Sequence, residues 1–180
     1  EWEMWTQFVS HDTNAALGLD GLRNSHSIEA QVDDPAEIRE LFDAISYSKG
    51  GSVLRMLEDY VGPETFRQGL HSYLMDHAYG NARGMHLWES INAATTIANA
   101  GQPVAVTDLM EAWIKQVGYP LITAEIDPAA HPSSITVGQS RFLYDNLLVP
   151  NADSTVWPVP MSVRQSQSDD VTKVVIANKA

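Results

Sequence analysis

Residues 42–62 read FDAISYSKGGSVLRMLEDYVG. From about Ser46 to Tyr60 the residues Val53, Leu54, Leu57 and Tyr60 recur at helical spacing. This predicts an amphipathic helix with those side chains inward. Gly62 stops the helix and Pro63 opens the next one. The start of the helix is unusual. A helix N-terminus ordinarily carries a short polar cap and acidic residues in its first turn. This one offers Tyr47, Lys49, Gly50 and Gly51. Either the stretch is ordinary core with an awkward beginning, or that beginning is shaped for something else.

The flanking residues up to about Gly118 also read as helices. Asp34-Pro35 is a helix start, with Ile38, Leu41 and Phe42 on one face. After Pro63, the residues Phe66, Leu70, Tyr73, Leu74 and His77 form one stripe. A further helix follows Gly84, with Leu87, Trp88 and Ile91 inward. TTIANAGQP, residues 95–103, reads as a loop. VTDLMEAWIKQVG then turns Leu109, Met110, Trp113, Ile114 and Val117 inward and ends at Gly118. Beyond Tyr119-Pro120 the texture changes. LITAEI and SSITVGQSRFLY alternate apolar and polar, as strands do. VWPVPMSVRQ and VTKVVIA follow, separated by SQSDD as a turn, and Pro158 and Pro160 suggest an edge strand or a bulge. Segregated helices and strands point to an α+β fold or to two domains, with a boundary near 118–121. No internal repeat or low-complexity segment interrupts the pattern.

The totals bound the function. The chain has 180 residues, 44% of them hydrophobic, and a formal net charge of -12 from 11 Lys+Arg against 23 Asp+Glu. That balance disfavours nucleic-acid phosphate and anionic membrane surfaces as partners. No apolar run approaches a membrane span. There is no cysteine, which excludes disulfides, thiolate chemistry and Cys-based zinc sites. Its absence fits a reducing compartment such as the cytoplasm. Glu1 is not an initiator methionine, and EWEMWTQF already places Trp2, Trp5 and Val9 at helical spacing without a preceding cap. The chain therefore reads as a piece of a longer protein.

The chemistry-bearing residue types are mostly bland in their setting. The histidines His11, His26, His71, His77, His86 and His131 include no His-Glu-x-x-His and no pair at i, i+4, and read as surface or partly packed side chains. No Gly-x-Ser-x-Gly elbow is present. KGGS at 49–52 falls short of a phosphate-binding loop. Glu37, Glu40, Asp43, Glu58, Asp59, Asp108 and Glu111 fall mostly on solvated helix faces. Tyr47 is the exception. Its phenol is a neutral hydrogen-bond donor on a rigid arm at pH 7, suited to an oxyanion that develops in a transition state. Gly50 and Gly51 leave room for another backbone or a ligand. The alternative is a tyrosine on a core edge with its hydroxyl in water.

Phe42 to Leu57 also resembles the pattern Phe-Asp-x-Ile-Ser-Tyr-x-Lys-Gly-x-x-Val-Leu-Arg-Met-Leu. This pattern follows the zinc site in zinc aminopeptidases of the membrane alanyl (aminopeptidase N), puromycin-sensitive and leukotriene hydrolase kind. EWEMWTQFV resembles the helix after that family's glutamate ligand, and ALGLDGLRNSHSIEAQV its Asp-x-Leu-x-x-Ser-His-Pro-Ile stretch. GPETFRQGLHSYLMDHAYGNARGMHLWESI and MEAWIKQVGYPLI resemble the helices closing the catalytic domain, and VWPVPMSV part of the β-domain that follows. Ser27 stands where the family usually has Pro, and Gly51 where it often has Ala.

The resemblance implies the helical C-terminal half of a thermolysin-like catalytic domain at 1–119 and part of a β-sandwich domain at 120–180. The parent protein would be a zinc metallo-aminopeptidase releasing N-terminal amino acids from peptides, with Tyr47 donating to the oxyanion. The family's Gly-x-Met-Glu-Asn motif, His-Glu-x-x-His helix and further Glu ligand would lie before Glu1. No residue of this chain is thereby assigned to a metal or cofactor, and the isolated chain is expected to bind no zinc and to be inactive. Its partners would be the peptide substrate and the remaining domains of the same protein. Lys49 reads as structural or surface. The rival reading is a non-catalytic interaction or scaffold module of the same fold.

Overall fold

The computed structural model describes residues 2–32, 34–101, 104–127, 134–145, 154–164 and 171–177. It is an α+β chain, helical up to Lys115 and stranded from Pro120. The first helical run comprises α1 (Met4–Phe8), a π-helical turn (Val9–Thr13) and α2 (Asn14–Asp20). A 3-10 stretch follows at Pro35–Leu41, and a second π-helical turn at Ile45–Lys49 leads directly into α3 (Gly50–Val61). Then come α4 (Pro63–Asp76), α5 (Gly84–Ala98) and α6 (Val106–Lys115).

The predicted punctuation accounts for the joints. Gly62 adopts φ +92, so the chain reverses there, and Pro63 begins α4 in its first turn. Val53 and Leu57 of α3 are buried, as are Trp88 and Ile91 of α5 and Leu109, Met110, Trp113 and Ile114 of α6. Trp157, just before the third strand, joins the same core. Packing of α4 on α5 is close because Gly69 faces Ile91. A Cβ at Gly69 would stand 2.7 Å from the Ile91 Cα.

One expectation needs correction. Helix α5 runs on through Thr95 to Ala98, where a loop is expected from the polar residues. The Thr95 and Thr96 hydroxyls donate to the Asn92 carbonyl at 2.7 and 3.0 Å, so their polar groups are satisfied within the helix. The stripe on α4 does not all turn inward, since Leu74 is exposed. Trp2, Trp5 and Val9, and likewise Ile38 and Phe42, are also exposed. Their spacing is helical, but none of them is buried in the described core. Trp5 instead lies under the Arg55 guanidinium, 4.2 Å from the ring centre.

The strands form two antiparallel ribbons. β1 (Pro120–Asp127) pairs with β2 (Ser134–Arg141), Pro120 opposite Arg141. β3 (Val159–Arg164) pairs with β4 (Val171–Ile176), Val159 opposite Ile176. Pro160 stands in β3, whose one partner among the described residues is β4; a two-stranded ribbon tolerates it. The side-chain amide of Gln139 ties the ribbons together. It donates to the Trp157 carbonyl at 2.8 Å and accepts from the Trp157 N–H at 2.9 Å. The Lys173 ammonium donates to the carbonyls of Asp59 and Tyr60 at 2.8 and 2.7 Å, where cationic charge at the end of α3 is favourable. His131 and the turn expected at 166–170 lie outside the described residues.

Candidate functional site

The site is built from the turn that begins α3. Asp43 stands just before it, and one of its carboxylate oxygens, Oδ1, accepts from the backbone N–H groups of Ile45 and Ser46 at 2.8 and 3.1 Å. Those donors have no partner one turn back, so the carboxylate caps the turn. The Lys49 N–H reaches back to the Ala44 carbonyl at 2.9 Å, five residues earlier, which gives the wide π-helical winding. Within it Ile45, Ser48 and Lys49 point inward and are buried. Tyr47 points outward and is 64% exposed. Among the described residues its hydroxyl makes no hydrogen bond. Its ring lies 6.1 Å from that of Phe42, also exposed.

Each inward neighbour is anchored. The Ser48 hydroxyl donates to Asp12 Oδ1 at 3.1 Å. The Ser52 hydroxyl donates to the Ser48 carbonyl at 2.8 Å and lies 3.1 Å from the Thr13 hydroxyl. The two π-helical turns are thus stitched side by side. Lys49 is no surface residue. Its ammonium lies 2.7 Å from Asp20 Oδ2 and donates to the carbonyls of Gly118 at 3.0 Å and Gln116 at 3.3 Å. Asp20 in turn accepts from the Ser25 hydroxyl at 2.9 Å and the Gly118 N–H at 3.0 Å. Burial pushes the Lys49 ammonium below its ordinary range, opposed by the Asp20 charge. Beside this pair, burial pushes the Tyr119 phenol up to about 12, helped by Tyr144 and Asp20.

The glycines do a different job from the one their freedom suggests. A Cβ at Gly51 would meet the Phe8 ring at 3.4 Å, an ordinary contact distance, so the chain's own aromatic ring fills that space. Asp43 also differs from the solvated carboxylate expected there. It is half-buried, and its Oδ2 lies 2.9 Å from His26 Nε2. Asp20 and His26 fall in the stretch that resembles Asp-x-Leu-x-x-Ser-His-Pro-Ile, but neither of them is assigned a role from the sequence. The capping role of Asp43 has a local signal, an aspartate two residues before an apolar helical run. The Asp20–Lys49 pair has none, because its members are far apart in the chain.

Among the described residues no group of three His, Cys, Asp or Glu side chains is placed to hold a metal ion. Also among them, no helix is long and apolar enough to cross a membrane.

Residues 1–113 match the model of the peptidase family M1 domain. The chain belongs to peptidase family M1. Among curated M1 relatives it is 42% identical over 163 residues to tricorn protease-interacting factor F2 of Thermoplasma volcanium, covering 91% of this chain and 19% of that one. It is 46% identical over 143 residues to aminopeptidase M1 of Arabidopsis thaliana, covering 79% and 15%. Identity to the alanine/arginine aminopeptidase of Saccharomyces cerevisiae is 38% over 175 residues, covering 97% and 19%. This M1 chain therefore spans about a fifth of the length of these relatives.

Proposed function

We propose that the chain is part of a zinc-dependent aminopeptidase that removes N-terminal amino acids from peptides, and that it supplies the hydrogen-bond donor for the oxyanion, Tyr47. Residues 1–119 are the helical part of a thermolysin-like catalytic domain, and 120–180 the start of a β-sandwich domain. The observation that carries the reading is the presentation of Tyr47. Its neighbours on the turn are buried and tied down on both sides, while its phenol projects outward with no partner of its own among the described residues. A neutral donor carried on a backbone fixed in this way is placed to stabilise negative charge when that charge appears. Local winding of the π type recurs at functional sites.

The described residues do not fit a zinc site, since none of them form a cluster of three His, Cys, Asp or Glu side chains that could hold the metal. The metal of the parent protein belongs to ligands elsewhere, and the chain by itself is inactive. The family relationship and the names of the relatives, two of them aminopeptidases, support the activity. The phenol remains the contribution to be tested here. Tyr47→Phe keeps the ring and its packing and removes the hydroxyl. In the full-length parent, loss of one oxyanion donor lowers kcat by about 10²–10³. KM changes by only a few fold, because the lost contact belongs to the transition state. Turnover close to wild type after Tyr47→Phe would leave this chain as scaffold.

A further inference from the structure

Asp43 and His26 do more than pack. His26 Nδ1 lies 2.8 Å from the Ser27 carbonyl oxygen, and Nε2 lies 2.9 Å from Asp43 Oδ2. Both partners are acceptors only once Asp43 is ionised. A neutral imidazole has one N–H and one lone pair, so it satisfies one of these contacts and opposes the other. Both bonds form together only when the ring is an imidazolium. Both Asp43 oxygens are then engaged, one by His26 and the other by the Ile45 and Ser46 N–H groups. Its backbone carbonyl also accepts the Tyr47 N–H at 3.1 Å. One residue thus holds three of the first N–H groups of the turn, and His26 holds that residue.

We propose that His26 and Asp43 are positioning residues for Tyr47, with the imidazolium–carboxylate pair fixing the turn that aims the phenol. The inference rests on the reading of Tyr47 given above. Charge on the two groups agrees with the geometry. Burial pulls the His26 imidazolium down, but the Ser27 carbonyl and the Asp43 carboxylate outweigh it and leave it raised above its ordinary value. Burial likewise pushes the Asp43 carboxyl up, and the bonds from His26, Ser46 and Ile45 outweigh it and leave it lowered. Asp20, from α2, is the other charge facing His26, and it is already engaged by Lys49. When His26 loses its proton, one ring nitrogen turns a lone pair on an oxygen. The pair slackens, and the arm of Tyr47 with it. A displacement of about 1 Å in a catalytic group is enough to cost on the order of 10²-fold in rate.

The test uses the full-length parent with an aminoacyl p-nitroanilide as substrate. Asp43→Asn keeps an oxygen for the Ile45 and Ser46 N–H groups but presents an amide where His26 needs a carboxylate. His26→Gln leaves Asp43 and its cap intact and serves should the first variant fold poorly. Each is made in the wild type and on the Tyr47→Phe background. The expected result is a fall in kcat of about 10–100-fold for each variant, with KM changed by only a few fold. The alkaline limb of the kcat profile moves to lower pH in Asp43→Asn. On the Tyr47→Phe background the same substitutions cost less than about twofold, because their effect runs through the hydroxyl already removed. Unchanged kcat, or an equal fall on both backgrounds, overturns the proposal and leaves the pair a general stabiliser. If Tyr47→Phe itself leaves kcat unaltered, the reading of Tyr47 fails first. If Tyr47→Phe collapses turnover while the pair proves indifferent, this inference alone is refuted.

Discussion

Replacing Lys49 by methionine tests what holds the site in place. Met preserves the length and most of the packing of the Lys stem and deletes the ammonium. In the structure that ammonium serves three oxygens, of Asp20, Gly118 and Gln116, and the Lys49 and Asp20 side chains are only 5% and 2% exposed. Solvent therefore screens the pair little. Asp20 keeps the Ser25 hydroxyl and the Gly118 N–H but loses its counter-charge. Removing one partner of a buried pair costs about 3–5 kcal/mol. At roughly 2–4 °C per kcal/mol for a chain of this size, Lys49→Met should lower Tm by roughly 6–20 °C. Adding Asp20→Asn removes the stranded charge and keeps an acceptor for Gly118, so the double variant should recover part of the loss. Thermal and urea unfolding at pH 7 measure both. A Tm within about 2 °C of wild type for Lys49→Met, or strictly additive losses in the double variant, would refute the reasoning.

Gly69→Ala pits helix propensity against packing. Alanine favours the helix by about 1 kcal/mol, but its methyl would press on the Ile91 backbone at 2.7 Å. Overpacking of about 1–3 kcal/mol should win, and a rise in Tm would show that α4 and α5 separate easily. The His26–Asp43 pair gives stability a pH window. His26 is raised, so its contribution is complete below its ordinary 6.5 and fades as pH rises through the raised value. Asp43 is lowered, so its contribution is complete above 3.8 and fades as pH falls through the depressed value. The Tm difference between wild type and His26→Gln should therefore be largest between these limits. A difference that is flat from pH 3 to pH 9 would contradict the pair.

Helices α3 to α6 were legible because their punctuation is local. Gly62, Pro63, Gly84 and Gly118 mark joints, and the apolar residues between them keep a helical period. The two π-helical turns left no such mark. A five-residue reach of the backbone does not alter which residues are apolar, so the unusual residues at this helix start carried no sign of the π winding itself. The outward aim of Tyr47 depends on that winding, although the tyrosine itself stood out. Trp2, Trp5 and Phe42 show the opposite limit. Periodicity states that a stripe exists and is silent on what covers it. The role of Asp20 was invisible for a third reason. Its meaning lies in Lys49 and Gly118, and the Gly118 contact spans 98 positions of sequence.

That span bears on the order in which the chain assembles. Lys49 meets Gly118 across 69 positions and Asp20 meets it across 98, so the cluster closes only when distant segments have come together. Closing so large a loop is entropically slow, and contacts of this kind tend to form late. Interactions absent from the transition state act on the unfolding rate and leave the folding rate nearly untouched. Lys49 and Asp20 therefore work as a latch on the finished fold. During synthesis both charges leave the ribosome well before Gly118 follows, and until then each is better off in water than in the core.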